Sequence, residues 1–187
     1  MKKSFPFSTK IFCFLAIFCF YFQGAQALNW SENQTMKVDS SGNIVAVWQS
    51  YDQINEVYVI QSSYYDTTSA TWSSVSTISD TTINSFSPVV ASNSAGDVVV
   101  TWVTDNSNGT TAIWASVRPV NGSFSSPAAL SDINDIAIIQ ACKVSVNNSG
   151  NIIVSWLAFI DFTYTAVVRA VQGTITGSWS APVTVSN

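Results

Sequence analysis

Eleven carboxylates, seven basic side chains and no histidine define the chemistry open to this 187-residue chain. Without imidazole there is no Ser-His-Asp or Cys-His nucleophile and no ordinary zinc ligand set. What remains is work for carboxylates: a pair of them could cleave a glycosidic bond, and Asp and Asn oxygens could hold Ca2+ as hard ligands. The acids are not evenly spread. Asp52, Glu56, Asp105 and Asp161 each follow a β-rich, Trp-containing run, and Asp80, Asp132 and Asp135 lie in the stretches leading to the next such run. Polar loops are also rich in Asp and Asn for turn-forming reasons alone. No Asp-x-Asp-x-Asp-Gly run is present, so no metal site or cofactor is predicted, and Ca2+ is the one ion the pattern could accept.

The runs that must position these acids are copies of one another. Gly42–Trp48 reads GNIVAVW, Gly96–Trp102 GDVVVTW and Gly150–Trp156 GNIIVSW, at a spacing of 54 residues. A second landmark follows each: WSSVSTIS from Trp72, FSSPAALS from Phe124 and WSAPVTVS from Trp179. Fixed spacing inside each phrase, with drift between phrases, marks one supersecondary unit per copy.

In the middle copy Pro88–Ser92 is a short β-rich run, and Gly96 closes a turn at a position suited to positive φ. Residues 97–103 alternate with both faces apolar, as in a strand covered on both sides. A third strand over Thr111–Val117 and a fourth over Phe124–Leu130 complete the unit. Four antiparallel strands per copy and no helical periodicity predict an all-β chain of three propeller-type blades, about 33–79, 87–131 and 141–187. Blade geometry then gathers the acids named above on one rim, with Tyr51 beside them. Trp48, Trp102 and Trp156 recur at one strand position and are expected to pack between blades. Trp72, Phe124 and Trp179 fill a repeated turn, and Gly42, Gly96 and Gly150 open the central strands. Trp30, Trp114 and Tyr51 stand outside both series, so they are the candidates for stacking on a sugar ring, with ordinary packing as the alternative. The expected binding rim is therefore Tyr51, Asp52, Asp105, Trp114 and Asp161.

The phrase Gly-x-hydrophobic-x-x-x-Trp, a strand, then Trp-Ser-x-x-x-x-Ile-Ser resembles the blades of sialidase-like, BNR-repeat propellers. The Asp-box of that family is degenerate here: Asp66 precedes Trp72 without an intervening Gly, and Gly122 and Gly177 precede their aromatics without an Asp. The resemblance implies a propeller. The catalytic set of a sialidase needs three arginines on the substrate carboxylate, and only Arg118 and Arg169 occur here, with no Arg-Ile-Pro motif. The chain therefore reads as a non-enzymatic or fragmentary relative.

The first 27 residues belong to export. Lys2, Lys3 and Lys10 precede an apolar run of 12 residues from Ile11 to Phe22, and Ala25-Gln26-Ala27 offers small residues for cleavage. A run that short does not span a bilayer. With a mature start near Leu28, four basic residues face eleven acids, a net charge of about −7, which excludes nucleic acid and anionic membrane surfaces as natural partners. Cys13 and Cys19 leave with the leader, so Cys142 cannot form an internal disulfide and is expected to be a buried small hydrophobe. The Met-Lys-Lys start is of bacterial type, which weighs against glycosylation at Asn29, Asn33, Asn108, Asn121 or Asn147.

Three blades do not close a ring. Each end would leave an apolar face above about 400 Å², worth on the order of 10 kcal/mol if covered. The covering body could be the rest of a longer propeller, or a second copy forming a homodimer with a six-bladed ring; the chain could also persist as an open arc. The expected product is an exported, periplasmic or extracellular protein that recognises a glycan or a surface protein. Glycoside hydrolysis by rim carboxylates and a purely structural envelope role are the alternatives.

Overall fold

In the computed structural model, residues 31–106, 109–131, 136–137, 142–160 and 165–186 are described. The leader, Trp30, Asn108, Asp132, Asp135 and Asp161 lie outside them. All regular structure among the described residues is β, in three antiparallel sheets, none closed on itself. No helix there is long and apolar enough to cross a membrane. The first sheet holds β1 (Ser31–Val38), β2 (Ile44–Asp52), β3 (Val57–Asp66), β4 (Thr71–Trp72) and β5 (Ser76–Thr77). The second holds β6 (Ser85–Ser92), β7 (Val98–Asp105), β8 (Thr111–Arg118) and β9 (Ala128–Ala129). The third holds β10 (Ile136–Ala137), β11 (Lys143–Val146), β12 (Asn151–Ile160), β13 (Thr165–Thr174) and β14 (Val183–Thr184), with β10 and β11 both paired to β12.

Each copy builds its first hairpin with the same device. Asp39, Asn93 and Asn147 each accept backbone N–H bonds two and four residues on, to Ser41 and Asn43, Ala95 and Asp97, and Ser149 and Asn151. The turn closes through Gly42, Gly96 and Gly150 at φ of +81°, +94° and +76°, which a side chain with a Cβ resists. The three turns also bond to one another: Ser40 donates to the Ser94 carbonyl, and Ser94 and Asn93 donate to Asn148 and Asn147. Donor and acceptor sit 54 residues apart in each case.

The sheets pack face to face in chain order. Val98, Val100 and Trp102 of the second sheet meet Val45, Val47 and Ile60 of the first. On its other side, Val99 and Val103 meet Ile152, Val154 and Trp156 of the third. β7 is thus buried on both faces, as its two apolar faces require. Among the described residues nothing covers one face of each outer sheet, and the repeat makes the consequence measurable: Met36 is 58% exposed while its counterpart Val90 is 2% exposed. At the other end Ile153 is 44% exposed, against 3% for Val45 and none for Val99. Trp102 and Trp156 are fully buried, whereas Trp48 is half-buried on the open first face and donates its Nε1–H to Gln61 at 3.2 Å.

The fourth strands are shorter than their sequence suggests. Only two residues of Phe124–Leu130 pair regularly, because serine hydroxyls stand in for carbonyls along this edge. Ser79, Ser131 and Ser186 accept the backbone N–H of Ile60, Ile113 and Val168 at 2.9, 2.9 and 2.8 Å. Ser73, Ser125 and Ser180 do the same for Tyr64, Val117 and Gln172. The recurrent Ser pair is the edge of each sheet.

Candidate functional site

The rim expected from the carboxylates is only partly assembled. Asp52 caps its own turn, accepting the Ile54 amide at 2.9 Å and the Asn55 side-chain amide at 2.7 Å. Those bonds, the Asn55 side chain first, hold its carboxyl below the usual range. Asp80 is committed in the same way to the hydroxyl and amide of Thr82, which lower its pKa. Asp105 and Glu56 are exposed. Tyr51 is half-buried and meets the edge of Tyr58 at 5.2 Å, and Tyr58 in turn meets Phe86 at 5.6 Å. Trp114 is not at the rim: it pairs with Trp102 in mid-strand, half-buried against the core between the first two sheets. Among the described residues no group of three or more acidic or sulfur side chains could hold a metal ion.

Buried polar groups near this rim hold the fold. Gln49 accepts from Asn33 at 3.1 Å and from the Ser87 amide at 3.2 Å, and donates to Glu32 at 2.8 Å. It ties together the bulges of β1 and β6, where Asn33 and Ser87 take positive φ. Cys142 is buried beside Thr101, 3.3 Å from its hydroxyl, and burial pushes the thiol up to about 11. A thiol so protonated is neither nucleophile nor metal ligand at neutral pH.

A cleft forms elsewhere, between the outer strands of the first two sheets. It has a volume of about 420 Å³ and is walled by Ser62, Tyr64 and Thr77 on one side and by Arg118, Ser123 and Phe124 on the other. The guanidinium carbon of Arg118 lies 4.2 Å from the centre of the Tyr64 ring, a stacked cation–π geometry. Its Nε–H donates to the Gly122 carbonyl at 3.0 Å. Among the described residues no carboxylate pairs with Arg118. Burial, then the charge of Asp39, push the Tyr64 hydroxyl up, so it stays protonated. Ser62 is 4% exposed and lines the cleft.

The cleft exists because the copies differ. Tyr64, Val117 and Gln172 hold one place in the three sheets, since each receives the same edge serine. Two residues earlier stand Ser62, Ala115 and Ala170. Between the second and third sheets Trp179 fills the corresponding space, lying so close over Gly173 that an added Cβ would meet its ring at 2.3 Å. Between the first and second sheets the smaller Phe124 and the polar Arg118 leave the space open. The legible signal was this departure from the repeat, at 62, 64, 118 and 124, rather than the repeat itself. A larger concavity, about 730 Å³, lies beside Ser145, Ile153 and Gln172 on the third sheet; Ile153 belongs to the face that no other sheet covers among the described residues.

No family model and no curated protein sequence matches the chain. Among solved structures, the Hadza microbial sialidase Hz136 matches with a TM-score of 0.58 at 11% identity, over 80% of this chain and 36% of that one. The chain thus spans little more than a third of the sialidase's length. A fucose lectin from Kordia zhangzhouensis, in complex with methyl-fucoside, matches with a TM-score of 0.47 at 13% identity, over 82% of this chain and 98% of that one. The first likeness shows a β fold shared with a sialidase over most of this chain.

Proposed function

We propose that this is an exported recognition protein, built as three blades of a β-propeller, that binds a saccharide in the cleft between its first two sheets. The observation that carries the reading is the cleft itself: aromatic walls from Tyr64 and Phe124, Arg118 stacked on Tyr64, and the hydroxyls of Ser62, Thr77 and Ser123 along its lining. Sugars are bound by this combination of apolar faces and a few placed polar groups. The radial arrangement is supported by the order of packing. The second sheet lays β6 against β1, β2 and β3 of the first, and the third lays β11 against β6 and β7 and β10 against β8 of the second. The hairpin turns bond in sequence at 54-residue steps. Export rests on the leader over residues 1–27, and the secreted chain is expected to start at Leu28. The body proposed to cover the two open faces is a second copy of the chain, giving a six-bladed ring, or the further blades of a longer propeller.

Hydrolysis at the rim lacks comparable support, since Asp52 is engaged by its own turn. Tyr51 and Asp105 remain a rival contact surface for the ligand. A glycan array probed with the mature chain tests the reading, with retained binding expected for Asp105→Ala and loss for Phe124→Ala. The opposite pattern moves the site to the rim, and an array without any bound glycan removes the saccharide reading.

A further inference from the structure

We propose that the contact between the first two sheets encloses bound water, held by the hydroxyls of Ser85 and Thr104 and by the indole N–H groups of Trp102 and Trp114. These four polar groups are buried and make no hydrogen bond among the described residues. All four lie on one face of the second sheet. Ser85 stands opposite Thr104 across β6 and β7, and Trp102 stands opposite Trp114 across β7 and β8. Thr104 and Trp102 are two positions apart on β7, so both point the same way. That face is turned to the first sheet, where Trp102 and Trp114 pack with Val47 and Ile60. Opposed residues in a sheet have Cβ atoms about 5 Å apart, and residues two along a strand are about 7 Å apart. A water molecule bridges polar groups over such spacings.

The repeat shows that packing alone does not require these groups. In the first sheet the place of Trp114 is held by Gln61, whose amide oxygen accepts the Nε1–H of Trp48 at 3.2 Å. Trp114 puts a second donor where that acceptor stood. In the third sheet the places of Ser85 and Thr104 are held by Ala137 and Ala158, in the same pairing and equally buried. Alanine therefore suffices to fill such a position, and a buried hydroxyl left without a partner is destabilising beside an apolar group. Two indole donors and two hydroxyls form a set that water completes. Its oxygen accepts the indole protons, and its own protons go to the hydroxyl oxygens. Room comes from the small side chains at this end of the sheet, where Ser85 and Ala112 flank Thr104 on either side. Tyr64 and Phe124, the aromatic walls of the cleft, pack against the same cluster as Trp114, so the water lies behind the cleft and does not depend on what the cleft binds.

Oxygen-17 relaxation dispersion of the mature chain, which detects long-lived water and not side-chain hydroxyls, tests this together with water-selective cross-relaxation to the indole N–H groups. The parent chain is expected to hold at least one long-lived water that the double variant Ser85→Ala, Thr104→Val loses. The indole N–H groups of Trp102 and Trp114 should show contact with water. That of Trp156, which has Ala137 and Ala158 in place of the hydroxyls, should not. Amide spectra report whether the variant keeps the fold; where it does not, the comparison of Trp102 and Trp114 with Trp156 in the parent chain decides alone. Absence of water contact at Trp102 and Trp114, or equal contact at Trp156, would overturn the assignment, as would an unchanged dispersion amplitude in the folded double variant. Indole shifts of Trp102 and Trp114 that saturate with added chloride would make the occupant an anion and overturn it as well.

Discussion

At the residue scale the sequence speaks most directly through what it lacks. A thiol in a chain without histidine has no imidazole to activate it, and Cys142 is buried, with its pKa raised to about 11 by desolvation. The unfolded thiol titrates near 9.0, so the folded protein holds this proton to higher pH. The contribution to stability is complete below pH 9 and is lost as pH rises towards 11. Two pH units correspond to about 3 kcal/mol at most. Urea midpoints are therefore expected to fall between pH 9 and 11, and Cys142→Ala should flatten that limb relative to the parent; an unchanged slope would mean the thiol is not desolvated. Arg118 shows the opposite case. Its type was plain from the sequence, but its significance depends on Tyr64, a residue of another sheet 54 positions away in the chain.

At the element scale the first three strands of each copy were legible, because alternation of apolar residues and a Gly-closed turn follow from backbone geometry. The fourth was expected as a full strand over Phe124–Leu130 and is regular over only two residues. Periodicity cannot show that a hydroxyl has replaced a carbonyl in the ladder. The serines carry that information, and they make the edge testable. Removing the hydroxyl of Ser79, which is buried and receives the Ile60 amide, leaves a buried donor unpaired and should cost about 1–2 kcal/mol. Ser186 serves Val168 in the same way but is half-exposed, so water can take over. Thermal melts of Ser79→Ala and Ser186→Ala should show a drop of about 2–8 °C for the first and a smaller one for the second. Equal drops would show that the hydroxyls act through something other than the orphaned amide.

At the scale of the whole molecule the count of three sheets was written in the 54-residue spacing, since a repeated residue packs a repeated interface. What the spacing could not convey is which faces of these three sheets lie covered and which lie open. Trp48, Trp102 and Trp156 occupy one position in three nearly identical phrases, yet Trp48 alone is half-exposed. Burial here is a property of the neighbour, not of the residue. The two uncovered faces are complementary by construction. The first sheet presents Met36, Ala46 and Trp48, counterparts of the residues with which the second and third sheets cover their predecessors. The third presents Ile153 and Leu157, counterparts of the covered Val99 and Val103. A second copy can therefore dock head to tail at both ends, and such a heterologous contact either closes into a ring or propagates. Sedimentation velocity of the mature chain is expected to show a closed dimer. Trp48→Asp and Leu157→Asp should each yield monomers, since either charge breaks both junctions of a two-copy ring. Mixing the two variants should restore a dimer, because one junction in the mixed pair joins an intact first face to an intact third face. A dimer that survives either substitution, or a parent chain that stays monomeric, would show that these faces do not meet in the way the internal sheets do.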